Sequence, residues 1–282
     1  MFNDSETTDL LTFLVYFLLY TIAACNFKMY KDISKISTDL LLYKNLQWPK
    51  NGKILTCMTG LGFLALATWL FFLFKAKVES VSTIGLILSA CTNYGFNFFT
   101  SFTLVAFFSS WMETLSMICE EWQPAGRIHQ HCLKCRDYYK SLQNGLGNIL
   151  LIFFTAQQVL LVISLYKSIT TAFYYPYDVL TNIVLTICYA VMSIFISTNI
   201  YVITMSAEEL HSGFKSLAIP LNIALIAENE ENNHNIKSLI KEIENMPPLN
   251  GNGYFEIKKG TITSIVSTTV TYLIILLQFR SS

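Results

Sequence analysis

The stretch Gly260-Thr-Ile-Thr-Ser-Ile-Val-Ser-Thr-Thr-Val-Thr-Tyr-Leu-Ile-Ile-Leu-Leu-Gln-Phe279 decides how this chain reads. It carries no charged residue, and as a helix rising about 1.5 Å per residue it is long enough to cross a hydrocarbon core of about 30 Å. On a wheel of about 100° per residue, Gly260, Thr261, Ser264, Ser267, Thr268, Thr271, Ile275, Gln278 and Phe279 share about one third of the circumference. Thr263 and Thr269 are the polar exceptions. Hydroxyls and an amide on one face suit a water-filled path, where they replace part of an ion's hydration, with Ile275 and Phe279 as a narrow dewetting gate. The same small and hydroxyl residues also suit dry helix-to-helix contact in a membrane. The stripe by itself leaves both readings open.

Working outward, five more uncharged stretches approach span length, so the chain reads as an all-α polytopic membrane protein. Its six spans are expected near 10–27, 54–74, 81–110, 148–166, 179–205 and 261–279. The composition agrees: 282 residues, 53% hydrophobic, 13% charged, mean hydropathy +0.45. Helices are the expected spanning element, because open strands leave backbone groups unpaired in lipid. With 19 basic and 19 acidic residues the net charge is zero, which offers nucleic acid no electrostatic footprint. The first run follows Asp4, Glu6 and Asp9 rather than a basic segment, so it reads as a retained helix and not a cleaved leader.

Lysine and arginine then orient the spans. The loops after spans one, three and five hold 15 of the 19, and only Lys75, Lys77, Lys167 and Arg280 fall on the other side. Positive loops stay cytoplasmic, so both termini are expected outside. Segments 111–147 and 206–253 carry apolar residues at helical spacing, for example Leu210, Phe214 and Leu217. They are expected to extend the spans into a cytoplasmic helical layer. Within it, 228–235 reads as a polar turn, and Pro247-Pro248 with Asn250-Gly-Asn-Gly253 breaks the chain before the last span.

The end of the last span reads Thr271-Tyr272, five apolar residues, then Gln278-Phe279, and Gly253-Tyr-Phe-Glu-Ile leads towards it. This resembles the signature of insect gustatory receptors, a family of ligand-gated cation channels. Tyr138-Tyr139-Lys-Ser-Leu142 adds a weaker similarity. The resemblance implies a homo- or heterotetramer opened by a small-molecule tastant. It also implies a pore for cations lined by the last helix, with Gln278 and Phe279 near its outer constriction. Ser264, Ser267, Thr271 and Ile275 then belong to the pore face. Family members have seven spans and a cytoplasmic N-terminus. Counted back from the signature, the six spans here correspond to the second to seventh, so a chain lacking the first is expected, either truncated or divergent.

Ligand contacts are expected among polar and aromatic residues within spans, chiefly Tyr94, Asn97, Trp69 and Gln157; interhelical hydrogen bonding is their ordinary alternative. His129-Gln-His131-Cys132-Leu-Lys-Cys135 has ligand-like spacing. On a helix, His131 with Cys135 and His129 with Cys132 form offset pairs, so four ligands do not converge and no metal or other cofactor is expected. None of the six spans contains Asp, Glu, Lys, Arg or His. That argues against an ion-coupled transporter, the main alternative, and against an intramembrane metalloenzyme; catalysis is not expected. A G-protein-coupled receptor would end inside the cell, against the charge bias. A truncated subunit that does not conduct alone is the remaining alternative.

Overall fold

The computed structural model describes residues 125–174, 179–227 and 230–281, part of 100–116, and the helical residues Gly60 and Ala67. Five helices are described within these bounds: α1 (Ala125–Tyr174), α2 (Val179–Ser216), α3 (Ala218–Ala227), α4 (Glu230–Glu244) and α5 (Lys259–Ser281). The described residues of 100–116 are also helical. Stretches of α1, of α2 with α3, and of α5 are long and apolar enough to cross a membrane: Ile128–Phe173, Val179–Ile226 and Lys259–Phe279. They contain the spans expected at 148–166, 179–205 and 261–279. The spans at 10–27 and 54–74, and most of 81–110, lie outside the described residues.

The 50 residues of α1 extend about 75 Å, more than twice a hydrocarbon core, so a large part projects beyond it. Its buried positions Cys132, Cys135, Tyr139, Leu142, Leu146, Leu150, Phe153, Gln157, Leu160 and Ser164 follow the three-and-four spacing of one helical face. That face packs along α2, which runs antiparallel: Ser164 and Ser193 share a hydroxyl hydrogen bond of 2.8 Å, and Tyr139 meets His211 and Phe214 about 20 residues further along. At its C-terminal end α1 continues past Tyr166 to Tyr174. Lys167 interrupts the apolar run but not the helix, because a long stem lets its ammonium reach polar surroundings.

Pro220, in the first turn of α3, has no N–H to continue the α2 ladder, and the chain breaks at Leu217. Of the segment 228–235, expected as a turn, residues 230–235 are helical and 228–229 lie outside the described residues. Acidic residues at a helix start interact favourably with the positive end of the helix dipole, so a polar run there begins a helix rather than interrupting one. Behind it Ile236, Leu239, Ile240 and Ile243 form a buried stripe that lays α4 on the shared core.

Candidate functional site

Helix α5 is fastened at its base and largely uncovered along its length. The base follows a tight hairpin. Asn252 and Gly253 both take positive φ, 52° and 82°, and the Tyr254 N–H donates to the Gly251 carbonyl at 3.0 Å. Positive φ at both central residues is the backbone of a type I′ turn, for which Asn-Gly is the preferred pair. An isolated antiparallel bridge pairs Asn250 with Glu256, and the Ile257 N–H donates to the Leu249 carbonyl at 2.7 Å. The expected chain break is therefore an ordered element. It docks on α1: a Cβ at Gly147 would stand 3.1 Å from the Asn252 nitrogen, and the Phe255 ring meets Phe154 edge-on at 5.7 Å.

Two side chains then set the entry of α5. Glu208 on α2 accepts the Lys259 backbone N–H at 3.1 Å, with the Lys259 ammonium 3.6 Å from its other oxygen. Thr261 donates its hydroxyl to the Glu256 carbonyl at 2.5 Å and accepts the Lys258 N–H at 3.2 Å. These bonds satisfy donors that every helix start leaves without intrahelical partners.

The neighbouring contacts tie α1, α2 and α4 together at this basic end. Tyr139 is fully buried and stacks on Phe214 with ring centroids 4.4 Å apart; its hydroxyl lies 3.0 Å from His211 Nδ1 and donates to the Pro247 carbonyl at 3.4 Å. Burial raises the Tyr139 phenol pKa, so it stays protonated. Burial also lowers the His211 pKa, and the Lys215 charge lowers it further against the opposing Glu208 and Glu256. Gln143 donates to the Pro247 and Pro248 carbonyls at 3.1 and 3.0 Å. Glu242 on α4 pairs with Lys140 and, at 2.9 Å, with Arg136; these bonds hold its carboxyl below the usual range.

Above its base α5 buries one narrow line: Thr261, Ile265 and Thr269, continued by half-buried Leu273 and Leu277. Spacing of four makes this line drift around the helix. Ser264, Ser267, Thr271, Ile275, Gln278 and Phe279 all lie off it and are exposed, Phe279 by 79%. Of the expected stripe only Thr261 is buried, and Thr268 is half-buried. Most of the stripe is therefore solvent-exposed in the described structure. Ser264, Thr268 and Thr271 donate their hydroxyls to carbonyls four residues back, at 3.2, 2.8 and 3.0 Å. A hydroxyl that donates inward presents its lone pairs outward, so the stripe offers acceptors suited to cations. Val266, Val270 and Ile274 on one flank and Tyr272 and Leu276 on the other leave exposed apolar surface beside it.

Of the expected ligand contacts, Gln157 is completely buried in the α1 core, while Trp69, Tyr94 and Asn97 lie outside the described residues. Cys132 and Cys135 face the core and His129 and His131 are half-exposed, and among the described residues no three such side chains cluster. Sequence reasoning missed Glu208 as the cap of α5 and Gly147 as the seat of the hairpin. The acidic pair Glu208-Glu209 just beyond a span was the available signal for the first; nothing in the sequence marked the second.

No curated protein matches the sequence. The chain is similar in fold to the insect olfactory receptor OR5 from Machilis hrabei. To the structure of that receptor in complex with eugenol the identity is 12%, over 99% of this chain and 83% of that one, with a TM-score of 0.69. A second structure of the same receptor matches at 12% identity over 98% and 82%, with a TM-score of 0.66. The family model described as 7tm Chemosensory receptor matches residues 7–282, nearly the whole sequence, and the chain belongs to that family of multi-pass receptors.

Proposed function

We propose that this chemosensory receptor is a gustatory receptor acting as a ligand-gated cation channel. Several copies, four by the family resemblance, surround a pore lined by Ser264, Ser267, Thr271, Ile275, Gln278 and Phe279. The observation that carries this reading is the α5 stripe: its hydroxyls turn acceptors away from the chain's own core, and its flanks carry apolar surface fit to meet neighbouring helices. A small-molecule tastant binds among the helices, with Gln157, Trp69, Tyr94 and Asn97 as candidate contacts, and shifts the population towards the open pore. That the similar olfactory receptor was solved with eugenol supports a small organic ligand of this kind. The excess of Lys and Arg in alternate loops supports both termini outside the plasma membrane.

Whole-cell recording of the chain, alone and with a related subunit, under a tastant panel tests the proposal. The expected result is a ligand-evoked cation current whose selectivity or amplitude changes in Gln278→Ala. Stoichiometric uptake without current would instead favour a transporter. Glycosylation tags at each end test the orientation independently, and an unglycosylated C-terminal tag overturns it.

A further inference from the structure

Several polar side chains used neither by the pore stripe nor by the basic end are buried at a similar depth of the helix bundle. Asn199 on α2 is 0% exposed, and neither its amide oxygen nor its amide nitrogen has a hydrogen-bond partner. The hydroxyls of Thr269 on α5 and of Thr100 and Ser101 upstream are likewise buried and unpartnered.

Contacts elsewhere on the same helices fix their levels. Glu208 meets Lys259 at the α5 base. From there Asn199 lies nine residues up α2 and Thr269 ten residues up α5, about 13 and 15 Å of rise. Gly213 of α2 abuts Met112 of the upstream helix. For the parallel direction that the alternating loop charges assign to these two helices, counting back from that contact brings Ser101 and Thr100 within about one turn of Asn199. The pairs Ser164–Ser193 and Tyr139–Phe214 bring Gln157 of α1 to the same level.

Leaving a buried polar group unpaired costs about 1–3 kcal/mol. Hydroxyls on membrane helices commonly avoid that cost by donating to the carbonyl four residues back, as Thr204, Thr268 and Thr271 do here. Thr269 does not, and Asn199 offers two donors and an acceptor in apolar surroundings. Several such groups gathered at one level have the chemistry of a buried water site, where each water makes about three hydrogen bonds.

We propose that Asn199, Thr269, Thr100 and Ser101 form an internal water-binding layer joining α2, α5 and the upstream helix, with Gln157 at its edge. Water there accepts from the Asn199 amide nitrogen and donates to its oxygen and to the hydroxyls. It links α5 to the bundle through bonds that re-form after a small displacement, where interlocked side chains would resist one.

Cryo-electron microscopy of the purified protein in lipid nanodiscs tests the layer directly. Water-sized density within about 3.2 Å of both the Asn199 amide and the Thr269 hydroxyl is expected; Asn199 bonded directly to protein with no such density overturns the proposal. Thermal denaturation of Asn199→Leu, Thr269→Val and the double variant gives an independent reading: a shared water makes the effects non-additive, and additive effects overturn it. Thr269→Val, which keeps the side-chain shape, serves where Asn199→Leu does not fold: loss of the density beside Asn199 in that variant supports the shared water, and unchanged density overturns it. None of these measurements needs an agonist, so they stand apart from the channel proposal.

Discussion

Glu208 on α2 caps the first turn of α5, accepting the Lys259 backbone N–H at 3.1 Å while the Lys259 ammonium lies 3.6 Å from its second oxygen. The bond ties the base of the candidate pore helix to α2, across 51 residues of chain. Glu208→Ala is expected to cost about 1 kcal/mol of stability by removing both cap and charge near a helix N-terminus. Glu208→Gln keeps an acceptor and is expected to cost less. Thermal denaturation of the purified variants gives the order, and an alanine variant as stable as the parent would falsify the capping role.

The hairpin leaves Gly147 almost no room. A Cβ there would stand 3.1 and 3.3 Å from the Asn252 nitrogen and Cα, backbone atoms held in place by the turn. Gly147→Ala is therefore expected to destabilise by about 1–3 kcal/mol, as overpacking does. Gly260→Ala, where a Cβ meets nothing within 4 Å, is the matched control and is expected to be near neutral. Equal melting temperatures for the two variants would show that the hairpin does not rest on α1.

His211 gives the basic end a pH dependence. Its folded pKa lies below the ordinary value near 6.5, because burial and then Lys215 disfavour the charged ring. The unfolded chain thus binds the proton more tightly. Stability is complete above about pH 6.5 and falls as pH drops through that value towards the folded pKa. Denaturation of the parent and of His211→Gln at pH 7.5 and 5.5 is expected to show the loss only in the parent; the same loss in both assigns it elsewhere.

The Glu242 carboxyl has the opposite history and a lower window. Lys140 and Arg136 depress its pKa, so its contribution is present above the ordinary carboxylate value, near 4.5, and is lost as pH falls further. Both partners reach solvent, which limits the pair to about 1 kcal/mol or less. Glu242→Gln is expected to lower stability slightly at pH 7, with the difference vanishing at acid pH. A cost of several kcal/mol at pH 7 would mean that α4 depends on this contact more than its exposure allows.

Tyr139 separates stacking from hydrogen bonding at the α1–α2 junction. Tyr139→Phe keeps the ring against Phe214 but loses the bonds to His211 and the Pro247 carbonyl, with an expected cost of about 1 kcal/mol. Tyr139→Ala, which empties a fully buried site, is expected to cost about 3–5 kcal/mol. Comparable losses in the two variants would show that the hydroxyl, not the ring, holds the junction.

The helical class, the three spans of the described region and the segregation of Ser264, Ser267, Thr271 and Gln278 from the apolar flanks were legible in the sequence. Period and charge are carried by neighbours three and four residues apart, and a helix expresses them wherever it packs. The helical start at Glu230 escaped that reading because a polar run signals a turn and a helix N-terminus equally well.

Which face of α5 meets its own chain was a different kind of question. The wheel of residues 260–279 admits both a wet stripe and a dry contact; among the described residues α5 buries a separate line through Thr261, Ile265 and Thr269 and leaves most of the stripe solvent-exposed. The Glu208 cap, the seat of the hairpin on Gly147 and the common depth of Asn199 and Thr269 likewise depend on register between helices. Register is set by how ridges of side chains interlock across residues far apart in sequence. The sequence by itself determined what each helix is and where its polarity lies; only the tertiary structure decided which polar groups are paired, which are buried and which face outward, because those outcomes belong to contacts between helices and not to any one of them.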